Sequence, residues 1–303
     1  MNGPLRVACA QTGSVEEDTP LDAIMEKARV LIGTAADRGA GLVMFPELFH
    51  APFFPRELRS DVSSRFIAAD GEEMASLRRT CRAHRIAAIV PIAERRGPAF
   101  YNSAAVVDSD GALVGVYRKT HIPAYLPTDR PGGTGSYEKF YFTPGEGLPL
   151  FDVSGWPFGI QICNDRLYPE ASRVLALKGA AVIFMPISYS TYDASEQRRA
   201  NWDAILRARA IENAVFVVAC NRVGQEGPRH HLGLSMVVGP DGRVLATGSD
   251  TEEEIILADL DPAALDNARF GMPWWRDRRP TLYAALAEHE PHLPSPYRND
   301  KGL

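Results

Sequence analysis

Seven consecutive residues, Ala214-Val-Phe-Val-Val-Ala-Cys220, carry no polar side chain. A strand with one face in water alternates apolar and polar residues; a run without alternation is covered on both faces. Similar short, β-branched runs recur at 5–9, 42–45, 86–92, 104–107, 113–117, 158–163, 181–185, 234–238 and 255–258. Helical patterns fall between them, at about 21–38, 72–84, 169–178, 196–212 and 281–288, with Gly179 placed to end the third. Strands alternating with helices, and buried on both faces, require an α/β chain built from layered sheets.

Two hairpin patterns echo each other. Ala104-Ala-Val-Val-Asp-Ser-Asp-Gly111 runs into Leu113-Val-Gly-Val, and Ser235-Met-Val-Val-Gly-Pro-Asp-Gly242 runs into Val244-Leu-Ala. Both read as strand, Asp-Gly turn, strand. They fit a sandwich of two similar halves, although Asp-Gly hairpins are also common on their own. No Pro/Gly/Ser linker divides the 303 residues. The loop Pro123–Gly135, rich in both Pro and Gly, lies between two motifs and reads as functional. From about residue 266 the chain holds Trp274, Trp275 and several arginines. It reads as an arm on a partner subunit or as a tail folded on its own domain.

The net charge of −5 argues against nucleic acid or an anionic membrane as partner. No apolar run approaches the ~18 residues of a spanning helix, and residues 1–11 lack the pattern of a signal peptide. Four cysteines in 303 residues are no disulfide framework; reduced thiols in the cytoplasm are expected.

Three residues stand at the ends of apolar runs where polar groups are costly. Cys163 closes Phe158-Gly-Ile-Gln-Ile-Cys163 and is followed by Asn164-Asp165-Arg166, then Pro169-Glu170 at a helix start. A thiol at such an elbow is exposed beside backbone N–H groups able to hold an oxyanion. Cys220 also ends an apolar strand, but a loop-like Val223-Gly-Gln225 follows it, so local grounds favour Cys163. Glu47 ends Leu42-Val-Met-Phe-Pro-Glu47. An unpaired carboxylate there has a raised pKa and suits a general base, while a helix-start glutamate is the simpler reading. Lys119 ends Val114-Gly-Val-Tyr-Arg-Lys119, either as a solvated edge charge or as a fixed cation near a thiol. The three are separated by 72 and 44 residues. Only strands lying side by side, with a site at their carboxyl ends, unite them.

Four blocks in order make the pattern specific: Phe45-Pro-Glu47-Leu, Tyr117-Arg-Lys119-Thr-His-Ile-Pro, Tyr137-Glu138-Lys-Phe-Tyr-Phe-Thr-Pro-Gly145 and Ile162-Cys163-Asn-Asp-Arg-Leu-Tyr-Pro-Glu170. Together they resemble the signature blocks of the nitrilase, or carbon–nitrogen hydrolase, superfamily. The resemblance implies a single-domain four-layer αββα sandwich over residues 1–303, dimerising through its helical face or forming larger homo-oligomers. It implies a Glu47–Lys119–Cys163 triad with Glu138 as a second active-site glutamate, and neither metal nor organic cofactor.

Asn164-Asp165-Arg166 and Phe53-Phe-Pro-Arg56 are similar to N-carbamoyl-D-amino acid amidohydrolases. Two departures stand out: Leu167 replaces their second arginine, and Ser136 replaces their histidine before the second glutamate. The stretch Ser136-Tyr-Glu-Lys-Phe-Tyr-Phe142 is nearer to N-carbamoylputrescine amidases and β-ureidopropionases.

The expected activity is therefore a cysteine-dependent amidohydrolase. It cleaves a linear non-peptide C–N bond, foremost in an N-carbamoyl (ureido) amino acid or amine, with release of ammonia. The partner is a small amide or ureido molecule. The alternatives are an aliphatic amidase, a nitrilase, or a catalytically silent binding scaffold. Asn164 and Arg166 are the expected substrate-binding residues. Arg166 would pair with a substrate carboxylate, or else with Asp165 or Glu170 to shape the elbow. His121 keeps a Cys–His arrangement open, and His230-His231 reads as a loop pair. The glycines of 132–135 lack the context of a phosphate loop, and the arginines of 196–212 read as a salt-bridged helix face.

Overall fold

A computed structural model describes residues 1, 3–127, 134–191, 195–271, 273 and 276–287. Gly132 and Gly133, Trp274 and Trp275, and the tail from residue 288, all drawn on above, lie outside the described residues.

The elements in chain order are β1 (Leu5–Gln11), α1 (Leu21–Asp37), β2 (Leu42–Met44), α2 (Glu72–His84), β3 (Ala87–Arg96), β4 (Ala99–Val107), β5 (Leu113–Arg118), the one-turn α3 (Glu138–Tyr141), β6 (Phe151–Val153), β7 (Trp156–Ile160), α4 (Pro169–Leu177), β8 (Val182–Pro186), β9 (Ser190–Thr191), α5 (Ser195–Asn213), β10 (Phe216–Cys220), β11 (Val223–Glu226), β12 (Arg229–Leu232), β13 (Met236–Val238), β14 (Val244–Thr247), β15 (Glu254–Leu260) and α6 (Pro262–Gly271). Two six-stranded sheets result, ordered β15-β1-β2-β3-β4-β5 and β14-β13-β10-β8-β7-β6, with a small sheet β11-β12-β9 beside them.

The apolar runs sort into three packed clusters. One joins inward residues of both large sheets, among them Val7, Met44 and Ile89 of the first and Phe158, Phe184 and Val218 of the second. Alternate residues of the first sheet, such as Ala8, Val43 and Val90, pack instead against Ile24, Ala28, Met74 and Leu77 of α1 and α2. In the second sheet Ile183, Met185 and Val217 meet Leu175 of α4 and Trp202, Leu206 and Ala210 of α5. Strands β2, β8, β10 and β13 are thus apolar and buried on both sides, which is why their sequence does not alternate. The α2 helix shows the local logic. Glu72 and Glu73 sit in its first turn and Arg82 and His84 in its last, matching the helix dipole, while Met74, Leu77 and Cys81 face inward.

Three local expectations need correction. Residues 223–225 and His230-His231 are not loop. They pair as the antiparallel hairpin β11–β12, Val223 opposite Leu232 and Gly224 opposite His231, and His231 is fully buried. The expected helix over 281–288 is not found in its described part, residues 281–287: only short 3₁₀ turns occur there, at Pro280–Leu282 and Ala284–Ala287. Proline opens the first of them and no inward face is buried. Finally, strand β7 stops at Ile160, three residues before Cys163, because the chain turns there into the elbow. Among the described residues no helix is long and apolar enough to cross a membrane.

Candidate active site

Glu47 follows β2 through Phe45-Pro46, and Lys119 follows β5 directly. Strands β2 and β3 are parallel, and β5 regains that direction after two antiparallel steps. Both side chains therefore leave the same edge of the sheet. Cys163 comes from the other sheet. It adopts φ +47°, a left-handed conformation uncommon for a side chain with a Cβ, and opens the 3₁₀ turn Cys163–Leu167 ahead of α4.

The structure brings these residues together with Glu138. Lys119 Nζ lies 2.8 Å from Glu47 Oε1 and 2.6 Å from Glu138 Oε2. Glu47 and Lys119 are fully buried and Glu138 nearly so. Asn102 Nδ2 donates to Glu47 Oε1 at 2.8 Å and reaches Glu138 Oε2 at 3.4 Å, and Ser136 Oγ donates to Glu138 Oε1 at 3.3 Å. Glu47 Oε2 makes no hydrogen bond of ordinary length. The Cys163 thiol is among the groups that favour the ionised form of Glu47.

One ammonium between two buried carboxylates cannot compensate both. Burial pushes both carboxyls up. At Glu47, Lys119, Asn102 and the thiol outweigh burial and bring the pKa below its ordinary value. At Glu138, burial and the charge of Glu47 outweigh Lys119, and the pKa rises. Burial pulls Lys119 down, but Glu138, Glu47 and Cys163 hold it well above its usual range. The Cys163 thiol is pushed up to about 11 by burial and by Glu47, against the opposing pull of Lys119 and Arg166. At neutral pH the cluster is a neutral thiol facing an ionised carboxylate, with a fixed cation beside them.

Cys163 is half-buried and opens, with Glu138, Asn164 and Arg166, on a cavity of about 310 Å³. Asn164 Nδ2 donates to the carbonyl of His121 at 3.0 Å. Arg166 pairs with neither Asp165 nor Glu170. Its Nη1 donates to the Cys163 carbonyl at 2.7 Å, and its guanidinium lies 4.5 Å from the Tyr189 ring centroid. His121 turns to Asp165, with Nδ1 2.8 Å from Oδ1, and stacks on Tyr168. Cys220 lies in the core between the sheets, where burial first and its neighbour Cys9 next hold its thiol well above the usual range. Among the described residues no group of His, Cys, Asp and Glu could hold a metal.

Three supporting residues escaped the sequence reading. Asp165, fully buried, accepts from Tyr117 Oη at 2.7 Å, His121 N at 2.9 Å and Ile162 N at 2.9 Å, tying the elbow to the strand that delivers Lys119. Arg222 donates to the carbonyls of Glu47, Leu48 and Ala51 and so fixes the Glu47 turn, where Leu48 takes φ +51°. Asn102 bridges the two glutamates. It carried a legible signal, since Asn102-Ser103 interrupts an otherwise apolar strand, where an unpaired amide is costly.

The carbon–nitrogen hydrolase family model matches residues 6–270. The chain belongs to this family and is a hydrolase of carbon–nitrogen bonds other than peptide bonds. It is 34% identical to an N-carbamoylputrescine amidase of Solanum tuberosum over 272 residues, covering 86% of this chain and 88% of that protein. It is 33% identical to a citrullinase of Francisella tularensis over 262 residues, covering 82% and 87%. The crystal structure of a carbon–nitrogen hydrolase from Helicobacter pylori G27 superposes with a TM-score of 0.85 at 29% identity, covering 94% of this chain and 98% of that one.

Proposed function

We propose that this enzyme hydrolyses an N-carbamoyl (ureido) amino acid or amine through a covalent intermediate on Cys163. The observation that carries this reading is a neutral thiol at a strained elbow, open to a cavity, above the buried Glu47–Lys119 pair. Glu47 takes the thiol proton as sulfur attacks the carbamoyl carbon. Lys119 and the backbone N–H of Asn164 hold the oxyanion. The C–N bond breaks as Glu47 returns the proton to the departing nitrogen. Glu47 then takes a proton from water, whose oxygen attacks the thioester-type carbon and releases the thiol. Glu138, which accepts from Lys119 Nζ and lines the cavity, positions Lys119 or the substrate nitrogen. Arg166, at the cavity wall, is the residue for a substrate carboxylate. No step calls on a metal or organic cofactor.

The three clusters support a single four-layer αββα unit. We read the C-terminal stretch as an arm, supported by Asp277, Arg278, Tyr283 and Leu286, which line a cavity with Glu170, Arg173 and Glu212 of α4 and α5. Val174 and Leu177 of α4 are exposed apolar side chains on this helical side, which suits pairing of two chains there. Four free cysteines, Cys9, Cys81, Cys163 and Cys220, suit the cytoplasm.

The test is ammonia release across N-carbamoyl amino acids, N-carbamoyl amines, simple amides and nitriles. Turnover of ureido compounds well above the rest supports the reading. Preference for amides or nitriles replaces it with an amidase or a nitrilase. No turnover, with an unreactive Cys163, makes the chain a binding scaffold.

A further inference from the structure

The cavity above Cys163 has a second cationic wall that the mechanism leaves unused. Arg229, at the start of β12, is 5% exposed, stacks 4.1 Å from the Phe53 ring centroid and reaches Thr134 Oγ1 at 3.3 Å and the Ser188 carbonyl at 3.5 Å. Arg166 is 3% exposed and stacks on Tyr189, the residue after Ser188. The two guanidinium groups therefore flank the Ser188–Tyr189 step, and all four residues line the cavity. Neither arginine is ion-paired to a carboxylate among the described residues. The carboxylate nearest in sequence, Glu226, lies opposite Arg229 in the β11–β12 ladder, but its oxygens serve Arg222, Arg56 and the Phe53 N–H.

Three buried polar atoms on this wall have no hydrogen-bond partner: Arg166 Nε, Arg229 Nε and Ser188 Oγ. All three can donate, and two belong to cations. Buried charges are ordinarily paired, and a buried donor without an acceptor forfeits the hydrogen bond it had in water. Unpaired donors on two cationic side chains and a hydroxyl that line one cavity are complementary to an anion bound there. The described lining of the cavity offers no matching site for a cation. Among its described lining residues Glu138 is the only carboxylate, and Lys119 Nζ already holds its Oε2.

Taking Cys163 as the nucleophile of a ureido hydrolase, we infer that Arg229 and Ser188 join Arg166 in binding a substrate carboxylate, so that the enzyme takes ureido acids and rejects ureido amines. Arg229 and Ser188 are then specificity-determining binding residues, and the reading departs from the amine-bearing substrate named for the potato relative.

The test uses three ureas of similar length: N-carbamoyl-4-aminobutyrate (anionic), n-butylurea (neutral) and N-carbamoylputrescine (cationic). Calorimetry on full-length Cys163→Ala protein should show the anion binding at least ten-fold tighter than the cation. In the otherwise native enzyme, Arg229→Gln should lower the ratio of kcat/KM for the anionic over the neutral urea by about ten- to a hundred-fold, as expected for one lost charge-assisted pair. Ser188→Ala should lower it by less. Equal or tighter binding of the cation overturns the inference, as does an unchanged ratio in a folded Arg229→Gln protein. If Arg229→Gln does not fold, the three-urea comparison and Ser188→Ala still decide. Tight anion binding without cleavage of any urea keeps the anion site and removes the ureido chemistry. Cleavage of ureas with preference for the amine does the reverse.

Discussion

The two halves of the chain repeat one scaffold and differ in what stands at its strand ends. In the first half β1, β2 and β3 run parallel with α1 and α2 between them, and β4 and β5 follow antiparallel. In the second half β7, β8 and β10 run parallel with α4 and α5 between, and β13 and β14 follow antiparallel. Even the register break is shared, at Val106/Val107 and at Val237/Val238. Carrying the ladder registers past the strand ends sets Thr12 against Cys163, Glu47 against Ile187 and Lys119 against Asp250. Equivalent strand ends thus hold a carboxylate and an ammonium in one half and a thiol in the other. The lesson is that the backbone offers each position twice, and the side chains decide which copy carries the chemistry. The site depends on both sheets being packed together, so neither half holds it alone.

The largest effect tests the thiol's placement. Cys163→Ala should abolish turnover, by about 10⁴-fold or more, with an unchanged melting temperature, because removing a nucleophile removes the covalent route. Cys220→Ala, at another strand end of the same half, should cost packing only, since that thiol lies between the sheets. Steady-state kinetics with thermal melts on both variants checks this, and reversed results would move the site to Cys220.

Next comes the cation of the first half. Lys119→Ala should lower kcat by ~10²–10³ through the lost oxyanion contact. It should also destabilise the fold by about 3–5 kcal/mol, because two buried carboxylates lose their shared partner. His121→Ala, two residues away, should keep substantial activity, because that ring serves Asp165. An active Lys119 variant beside a dead His121 variant would favour a Cys–His mechanism instead.

Much of this is legible in the amino-acid sequence. The non-alternating runs announced sheets covered on both faces, and the Asp-Gly echo anticipated hairpins β4–β5 and β13–β14. Glu47, Lys119 and Cys163 were each readable as polar groups ending apolar strands. Strand order was not readable, so their convergence came from the family resemblance. Arg229 and Ser188 were missed for a different reason. Arg229 lies in a segment rich in Gly, His and Arg, whose pairing as β11–β12 depends on tertiary contacts with β9. Ser188 lies just beyond β8 and gave no local signal, because its meaning is an unpaired hydroxyl in a cavity. In the sequence Asp165 reads only as a partner for Arg166, whereas its oxygens receive donors from β5 and the residues just after it.

Each half also buries one histidine near the site, and acid should expose both. Burial lowers the pKa of His50, in the turn after Glu47, to about 4, and likewise that of His231, in β12. A histidine with a depressed folded pKa binds its proton first in the unfolded chain. Stability is therefore full above the ordinary value near 6.5 and falls as pH drops towards 4. Each group contributes on the order of 3 kcal/mol of acid sensitivity across that window. Glu226, held to about 2 by His231 and Arg222 against its burial, adds a further loss below the ordinary carboxylate range. Denaturant melts between pH 4 and 7 should show the slope, and His50→Gln and His231→Gln should each flatten it by about half. Flattening by only one variant would show that one half carries the acid sensitivity alone.

The smallest effect separates the two Asp-Gly turns. Gly111 and Gly242 both take left-handed φ values, +76° and +83°, so alanine at either position costs ~1 kcal/mol or more from backbone strain alone. Their surroundings differ. A Cβ at Gly111 would lie 2.4 Å from the carbonyl oxygen of Arg78, a backbone atom inside α2 that cannot move without shifting the helix. A Cβ at Gly242 would meet Ile211 Cδ1 at the same 2.4 Å, but this is the end of a side chain on α5, free to change rotamer. Gly111→Ala should therefore destabilise by about 2–3 kcal/mol and Gly242→Ala by about 1–2 kcal/mol. Activity per folded molecule should be retained in both, because neither turn touches the cavity. Equal losses in chemical denaturation would mean that the strain of the turn dominates and that the helices yield alike. A larger loss at Gly242 would mean that α5 is packed more rigidly than α2 around its Trp202 and Leu206 contacts.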